Sequence, residues 1–180
     1  GITADPTDLA LDRPAVPSPV PGATVVHPGA SMPTRRWPAQ RFAEVARALA
    51  AAGHRVVVTG GVGERDLALR VARAARLADT AVLAGRTGLA ELAALVADAT
   101  LVVSGDTGVG HLATAYGTPS VLLFGPTPPD RWGPPPDPRH AILWAGLVGE
   151  PFADTVHEGL LALTAVDVLT AIGAVLSAPA

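Results

Sequence analysis

The chain contains no cysteine, lysine or asparagine, and it has neither a basic run nor a long apolar run. Without cysteine, disulfide bonds and thiolate metal sites are excluded. All thirteen Lys/Arg positions are arginine, which together with the abundant Ala, Gly and Pro suggests a GC-rich genome. A net charge of −3 without clustered arginines argues against a nucleic-acid surface. No segment approaches the ~18 apolar residues of a membrane span and no signal-peptide pattern is visible, so we expect a soluble, cytoplasmic domain.

Short β-branched apolar runs alternate with segments of helical periodicity along the 180 residues. The runs predict strands at 23–27, 55–59, 80–84, 100–103, 119–124 and 140–144. Helices are predicted at 38–52, 64–76, 88–97 and 107–116, and at about 163–177. This alternation predicts an α/β fold, a parallel sheet of about six strands with helices on both faces. The proline-rich segment 1–22 is predicted to be an interdomain linker, 23–180 the folded domain, and the proline-rich segment 125–139 a loop.

The most informative segment is 104–111, Ser-Gly-Asp-Thr-Gly-Val-Gly-His, which follows one predicted strand and starts a helix. A strand, a glycine-containing turn and a helix start present backbone N–H groups to phosphate. Thr107 and the amides of Thr107 and Gly108 are candidates to hold a diphosphate. His111 lies one helical turn after Thr107 and shares its face, although a structural histidine is equally compatible with the pattern. Asp106 either accepts bonds from sugar hydroxyls, fixes the loop or caps an ordinary turn.

Ligands of parallel α/β sheets bind at the carboxyl ends of the strands, so the other turns there are candidates as well. After the first strand, Ser31 can donate a hydrogen bond, and Arg35 and Arg36 have guanidinium groups suited to phosphate, although either arginine could be a surface charge. In the same segment, His27 is expected to be structural and Trp37 to pack in the core.

The turns after the second, third and fifth strands add weaker candidates. Glu64 follows three glycines and could accept a bond from ribose hydroxyls or complement a helix dipole. Thr87 lies in a turn that a purine ring could approach. In the proline-rich loop after the fifth strand, Thr127 is the obvious polar contributor.

Several segments resemble the C-terminal half of glycosyltransferase family 9, the heptosyltransferase family. They are HPGAS, RRWP, GGVGERDLA and the stretch from LAGRTGLAEL to SGDTGVGHLATAYGTPSVLLFGPTPP. The resemblance covers about residues 23–177. It implies a Rossmann-like three-layer domain, one half of a GT-B fold, which binds a nucleotide diphosphate sugar such as ADP-heptose. The donor-binding positions that it implies are Ala30, Ser31, Arg35, Glu64, Thr87, Asp106, Thr107, Gly108 and His111.

Specific roles follow from the resemblance. Arg35 stands where family members carry a phosphate-binding lysine, and Ala30 and Ser31 lie at the diphosphate. Glu64 takes the place of the ribose-binding glutamate, and Thr87 falls near the adenine. The last four positions, near the phosphates and the transferred sugar, are Asp106, Thr107, Gly108 and His111.

The family further implies an inverting transfer that needs no metal and no cofactor. Its catalytic base is an aspartate of an N-terminal domain that this chain lacks, so we expect no catalytic residue here and no activity from this part alone. The acceptor, a glycan or glycolipid, would be bound through that domain, with at most peripheral membrane association at the inner face. Two other functions stay open: a stand-alone nucleotide-binding module without catalysis, and a GT-B-like sugar-nucleotide epimerase domain.

Overall fold

A computed structural model of the protein describes residues 9–178 and shows a sheet of five parallel strands. The order across the sheet is β2-β1-β3-β4-β5. Val25 lies in the second strand of this order and pairs with Val57 on one side and Val102 on the other. The strands are β1 (Thr24–His27), β2 (Val56–Val58), β3 (Leu101–Gly105), β4 (Ser120–Phe124) and β5 (His140–Trp144).

Helices cover both faces of the sheet, as predicted for a parallel sheet. Alternate side chains of each strand enter opposite cores: Val26 packs in the core under α1, α2 and α7, and Val25 in the core under α3 and α4. Gly53, with φ +90°, follows the end of α1 in the conformation that terminates helices. The helices are α1 (Ala39–Ala51), α2 (Arg65–Ala74), α3 (Leu89–Ala97), α4 (Gly108–Tyr116), α5 (Pro129–Trp132), α6 (Glu158–Ala162) and α7 (Ala165–Leu176).

The prediction of a strand at 80–84 is wrong, and the sheet has five strands instead of about six. Residues Asp79–Ala81 form a 3-10 turn, and only Val82 makes a parallel bridge, to Val58 of β2. The segment lies beyond a three-residue strand, so few ladder partners are available to it. An ion pair of 2.8 Å between Arg73 of α2 and Asp79 also holds the start of the segment in the turn.

The strand order places a crevice between β1 and β3. From β1 the chain continues to β2 on one side, whereas from β3 it continues to β4 on the other side. The loops that follow β1 and β3 therefore diverge, which is where sheets of this kind bind ligands. The site described below lies at this point.

The segment that precedes β1 runs along α4. Residues 9–22 contain neither helix nor strand, and the Leu11 amide donates to the Ala115 carbonyl oxygen at 3.2 Å. Residues 1–8 of the predicted linker lie outside the described part, so the linker stays a prediction. Within residues 9–178 no helix has the length and apolarity to cross a membrane.

Candidate functional site

A cleft of about 470 Å³ lies at the carboxyl ends of β1 and β3. We call it the phosphate cleft, after the ligand that the sequence predicts for its residues. Every predicted donor-site residue except Thr87 lines it. Thr87 lies in the turn before α3, outside this lining. The lining residues are His27, Ala30, Ser31, Arg35, Glu64, Asp106, Thr107, Gly108, His111 and Trp132.

An ion pair joins the two loops that flank the phosphate cleft. Arg35, at the end of a 3-10 turn after β1, donates from Nη2 to Asp106 Oδ2 at 2.5 Å and to the Asp106 carbonyl oxygen at 2.7 Å. The Asp106 side chain is only 5% exposed, against 27% for Arg35. Asp106 therefore fixes its loop through the bond to Arg35, which is one of the three roles predicted for it.

The second oxygen of Asp106 is not used by the ion pair. Oδ1 is buried and has no hydrogen-bond partner among the described residues, and His111 Nε2 lies 3.9 Å from it. A buried acceptor without a donor is unfavourable unless a ligand or a repositioned side chain supplies one. Asp106 thus combines a structural bond with an unused acceptor.

The N-terminus of α4 contributes backbone donors. Thr107 is its N-cap residue, but its side chain bonds to Ser104 Oγ at 2.9 Å and does not cap the helix. The first-turn amides of a helix have no acceptors within the helix, and its dipole favours an anion there. This first turn begins at Gly108, which lines the cleft, so the positive end of the helix dipole lies at the cleft.

Glu64 lies between the loops that follow β1 and β2. Its Oε2 accepts the Gly61 amide at 2.8 Å. The carboxylate lies so close to Gly29 that a Cβ at this position would overlap it. Gly29 therefore leaves the space that the Glu64 carboxylate occupies, and its φ lies outside the left-handed region.

Three other side chains of β1 and the segment after it have structural contacts. His27 Nδ1 bonds to Thr59 Oγ1 at 3.0 Å, and burial lowers the pKa of His27 despite the nearby Glu64, so the ring is neutral at pH 7. Arg36 Nε donates to the Ala30 carbonyl oxygen at 2.8 Å, which orders the loop. Trp37 is buried, as predicted, and donates to the Leu163 carbonyl oxygen at 3.0 Å.

Trp132, which we did not predict as a site residue, also lines the phosphate cleft. It is the last residue of α5, a short helix inside the segment predicted to be a loop, and it is 59% exposed. Thr127, the residue predicted to contribute there, lines neither this cleft nor the larger one beside it. A single tryptophan in a proline-rich segment shows no periodicity, so the sequence offered no signal for it.

Comparisons with known proteins agree with this architecture. The family model for glycosyltransferase family 9 (heptosyltransferase) matches residues 8–152. Lipopolysaccharide heptosyltransferase 1 of Pseudomonas aeruginosa is 39% identical over 129 residues, which cover 70% of this chain and 36% of that protein.

Two solved structures from E. coli have the same fold over most of the chain. ADP-heptose lps heptosyltransferase II matches with a TM-score of 0.72 and 28% identity, covering 88% of this chain and 47% of that one. Heptosyltransferase WaaC with ADP matches with a TM-score of 0.68 and 25% identity, covering 88% and 46%. The chain thus spans little more than a third of the curated relative's length and just under half of each solved chain.

The family model covers well over half of the chain, and the solved relatives share its parallel sheet and flanking helices. The chain therefore belongs to glycosyltransferase family 9, the heptosyltransferase family.

Proposed function

We propose that this chain is the donor-binding part of an inverting glycosyltransferase that uses a nucleotide diphosphate sugar of the ADP-heptose type. The observation that carries the proposal is the phosphate cleft, which combines Arg35, the N-terminus of α4 and the Glu64 carboxylate at the point where the strand order reverses. A cationic fork and a helix N-terminus suit a diphosphate, and a carboxylate suits ribose hydroxyls. The relative solved with ADP supports adenine as the base.

Arg35 and α4 would bind the diphosphate together. A guanidinium has five N–H donors, and both bonds to Asp106 come from Nη2, so Nη1 and Nε have donors for phosphate oxygens. The α4 amides approach the same volume from β3. In the transition state the departing diphosphate gains negative charge, and donors that are already in place stabilise it without reorganisation.

Other groups would bind the two sugars. Glu64 Oε2 is held by the Gly61 amide, which orients the carboxylate to accept bonds from ribose hydroxyls. Asp106 Oδ1 and His111 lie on the other side of the diphosphate position, where they would contact the transferred sugar. Thr87, outside the cleft lining, stays a prediction for the adenine.

In the reaction, a hydroxyl of the acceptor attacks the anomeric carbon, and the bond from that carbon to the diphosphate oxygen breaks with inversion. The base that takes the hydroxyl proton would come from a part of the enzyme outside this chain. Arg35 and the α4 amides direct hydrogen-bond donors at the leaving group, and for this reason we propose that no metal is required. A lipopolysaccharide-type acceptor, used at the inner face of the membrane, is proposed from the names of the relatives.

Calorimetry with ADP, UDP and GDP tests the donor assignment. We expect ADP to bind more tightly than UDP or GDP, and Arg35→Ala to weaken ADP binding by about tenfold or more, because a charge-assisted bond is lost. Arg47→Ala, which removes an exposed arginine of α1, is the matched control and should bind ADP as the wild type does. Equal or absent binding of all three nucleotides would disprove the proposal.

A further inference from the structure

Ser104 is a fully buried polar residue of β3 to which the proposed function gives no part. Pairing with His27 of β1 and Leu122 of β4 holds its backbone on both sides. Its hydroxyl donates to the Gly105 carbonyl oxygen at 3.0 Å and lies 2.9 Å from the Thr107 hydroxyl. A hydroxyl has a single proton, so Thr107 is the donor in the second bond. A strand in the interior of the sheet therefore holds the Thr107 side chain in one orientation.

The bond to Ser104 keeps the Thr107 side chain from capping α4. Thr107 is the N-cap residue and its backbone is extended, and a threonine in this position ordinarily accepts an amide of the first turn. Thr164, the N-cap of α7, is also extended, and its hydroxyl does accept the Asp167 amide at 3.2 Å. Within α4, all of which the structure describes, no first-turn amide donates to the Thr107 hydroxyl. The two threonines thus differ in the partner of the hydroxyl and not in the class of backbone conformation.

Resting on the proposed function, we propose that Ser104 is a positioning residue, which holds the Thr107 hydroxyl away from α4 so that the first-turn amides stay free for the diphosphate. Gly108, the first residue of the helix, lines the phosphate cleft, and a Cβ there would meet nothing within 4 Å, so a ligand can approach this turn. Arg35 lines the same cleft from the loop after β1. A side-chain cap would compete with phosphate for the amide of Gly110, the third residue of the helix.

The arrangement lowers the stability of the free protein and favours the bound one. A helix whose N-cap side chain is engaged elsewhere lacks a bond that typically shifts the folding equilibrium by about fivefold. An anionic ligand recovers this loss, because it accepts from amides that have no acceptor within the helix. The amides are also in place before the ligand binds, which is the condition for stabilising a leaving group without reorganisation.

Calorimetry with ADP on Ser104→Ala, in the wild-type and the Thr107→Val backgrounds, tests the inference. The change removes one buried oxygen atom and frees Thr107 to cap α4, so ADP should bind about fivefold more weakly. Valine has a shape similar to that of threonine but no hydroxyl, so it cannot cap the helix. In the Thr107→Val background, Ser104→Ala should therefore alter ADP affinity by less than about twofold.

Ser120→Ala is the matched control. Ser120 is a fully buried serine of β4, and its hydroxyl bonds to His140 Nδ1 at 2.9 Å. It begins its strand, whereas the phosphate cleft lies at the carboxyl ends, and it is not among the residues that line the cleft. The control loses a buried hydrogen bond of the same kind and should bind ADP as the wild type does.

Amide hydrogen exchange in the ligand-free protein tests the capping step by itself. In Ser104→Ala the Thr107 hydroxyl becomes an acceptor for the amide of Val109 or Gly110, so exchange of that amide should become slower. The double variant with Thr107→Val should not show this change. A purely structural role of Ser104 would not slow the exchange of an amide in α4.

The outcomes separate this inference from the proposed function. If the wild type binds ADP and Ser104→Ala binds it equally well, or if exchange in α4 is unchanged, the inference is wrong while the nucleotide site stands. An equal loss of affinity in both backgrounds, or in Ser120→Ala, would also refute it, because the effect would then come from the strands and not from the cap. Absence of ADP binding in the wild type overturns both proposals.

Discussion

Replacing Arg35 by alanine leaves the Asp106 carboxylate buried without its cation. The carboxylate side chain is 5% exposed, its Oδ2 accepts from Arg35 at 2.5 Å, and its Oδ1 has no partner among the described residues. Removal of Arg35 would therefore leave a largely buried charge without its hydrogen-bond donor. The expected result is a lower free energy of unfolding, independent of any ligand.

The size of the effect follows from the burial of the two partners. Breaking a fully buried ion pair costs about 3–5 kcal/mol, but Arg35 is 27% exposed, so we reduce the expectation to about 2–3 kcal/mol. For a domain of this size that corresponds to a fall in Tm of about 4–12 °C. Adding Asp106→Asn removes the uncompensated charge, so the double variant should recover more than half of the loss.

Urea denaturation near neutral pH, with a double-mutant cycle over the two positions, measures these quantities. Arg47→Ala is again the control and should change stability by no more than about 0.5 kcal/mol, as expected of an exposed site. Arg35→Lys keeps the charge but replaces the planar fork by a point donor, so its stability should lie between wild type and Arg35→Ala. Strict additivity of Arg35→Ala and Asp106→Asn would refute the reasoning, because the two groups would then not interact.

Two further predictions concern the neighbouring loops. Gly29→Ala should leave the free energy of unfolding within about 1 kcal/mol of wild type, since only the flexible Glu64 carboxylate must move. Because that carboxylate is displaced, the variant should weaken ADP binding as much as Glu64→Ala does. Calorimetry on both variants measures this, and normal ADP affinity in Gly29→Ala contradicts it. Burial lowers the pKa of His27 below its ordinary 6.5, so on acidification His27 becomes protonated in the unfolded chain before it does in the folded one. The free energy of unfolding is therefore at its full value above pH 6.5 and decreases as the pH falls from 6.5 toward the pKa of His27 in the folded state. Denaturation at about pH 7.5 and about pH 5.5 should show a loss at the lower pH that is smaller in His27→Gln, and equal losses in both proteins would rule out this cause.

The sequence predicted those features that depend on local pattern. The start of α4 at Gly108 and the end of α1 before Gly53 follow from glycine-containing turns next to periodic segments. The prediction of a strand at 80–84 failed because the apolar pattern of this segment is the same as that of a central strand. Its position at the margin of the sheet depends on distant segments. An apolar run indicates that a segment is buried, but it does not indicate how many neighbouring strands are available to pair with it.

Eight of the nine predicted donor-site residues line one cleft, but the bonds among them were not predicted. Arg35 and Asp106 are 71 positions apart, so no spacing rule links them. Arg35 was assigned to phosphate and Asp106 to a sugar hydroxyl, the loop or a turn cap, and neither was assigned to the other. Trp132 was missed because its role depends on the fold of a loop that brings it beside α4. Contacts of this kind are set by packing between elements.

The bond from Arg35 to Asp106 also bears on motion. It fastens together the loops that follow β1 and β3, the two strands on either side of the crevice. The crevice cannot widen along this line without breaking a buried ion pair, so the two loops would open as one cooperative unit and not independently. The proposed diphosphate site would then be assembled before a nucleotide arrives, and a bound nucleotide would exchange from the open side of the cleft without separation of its walls.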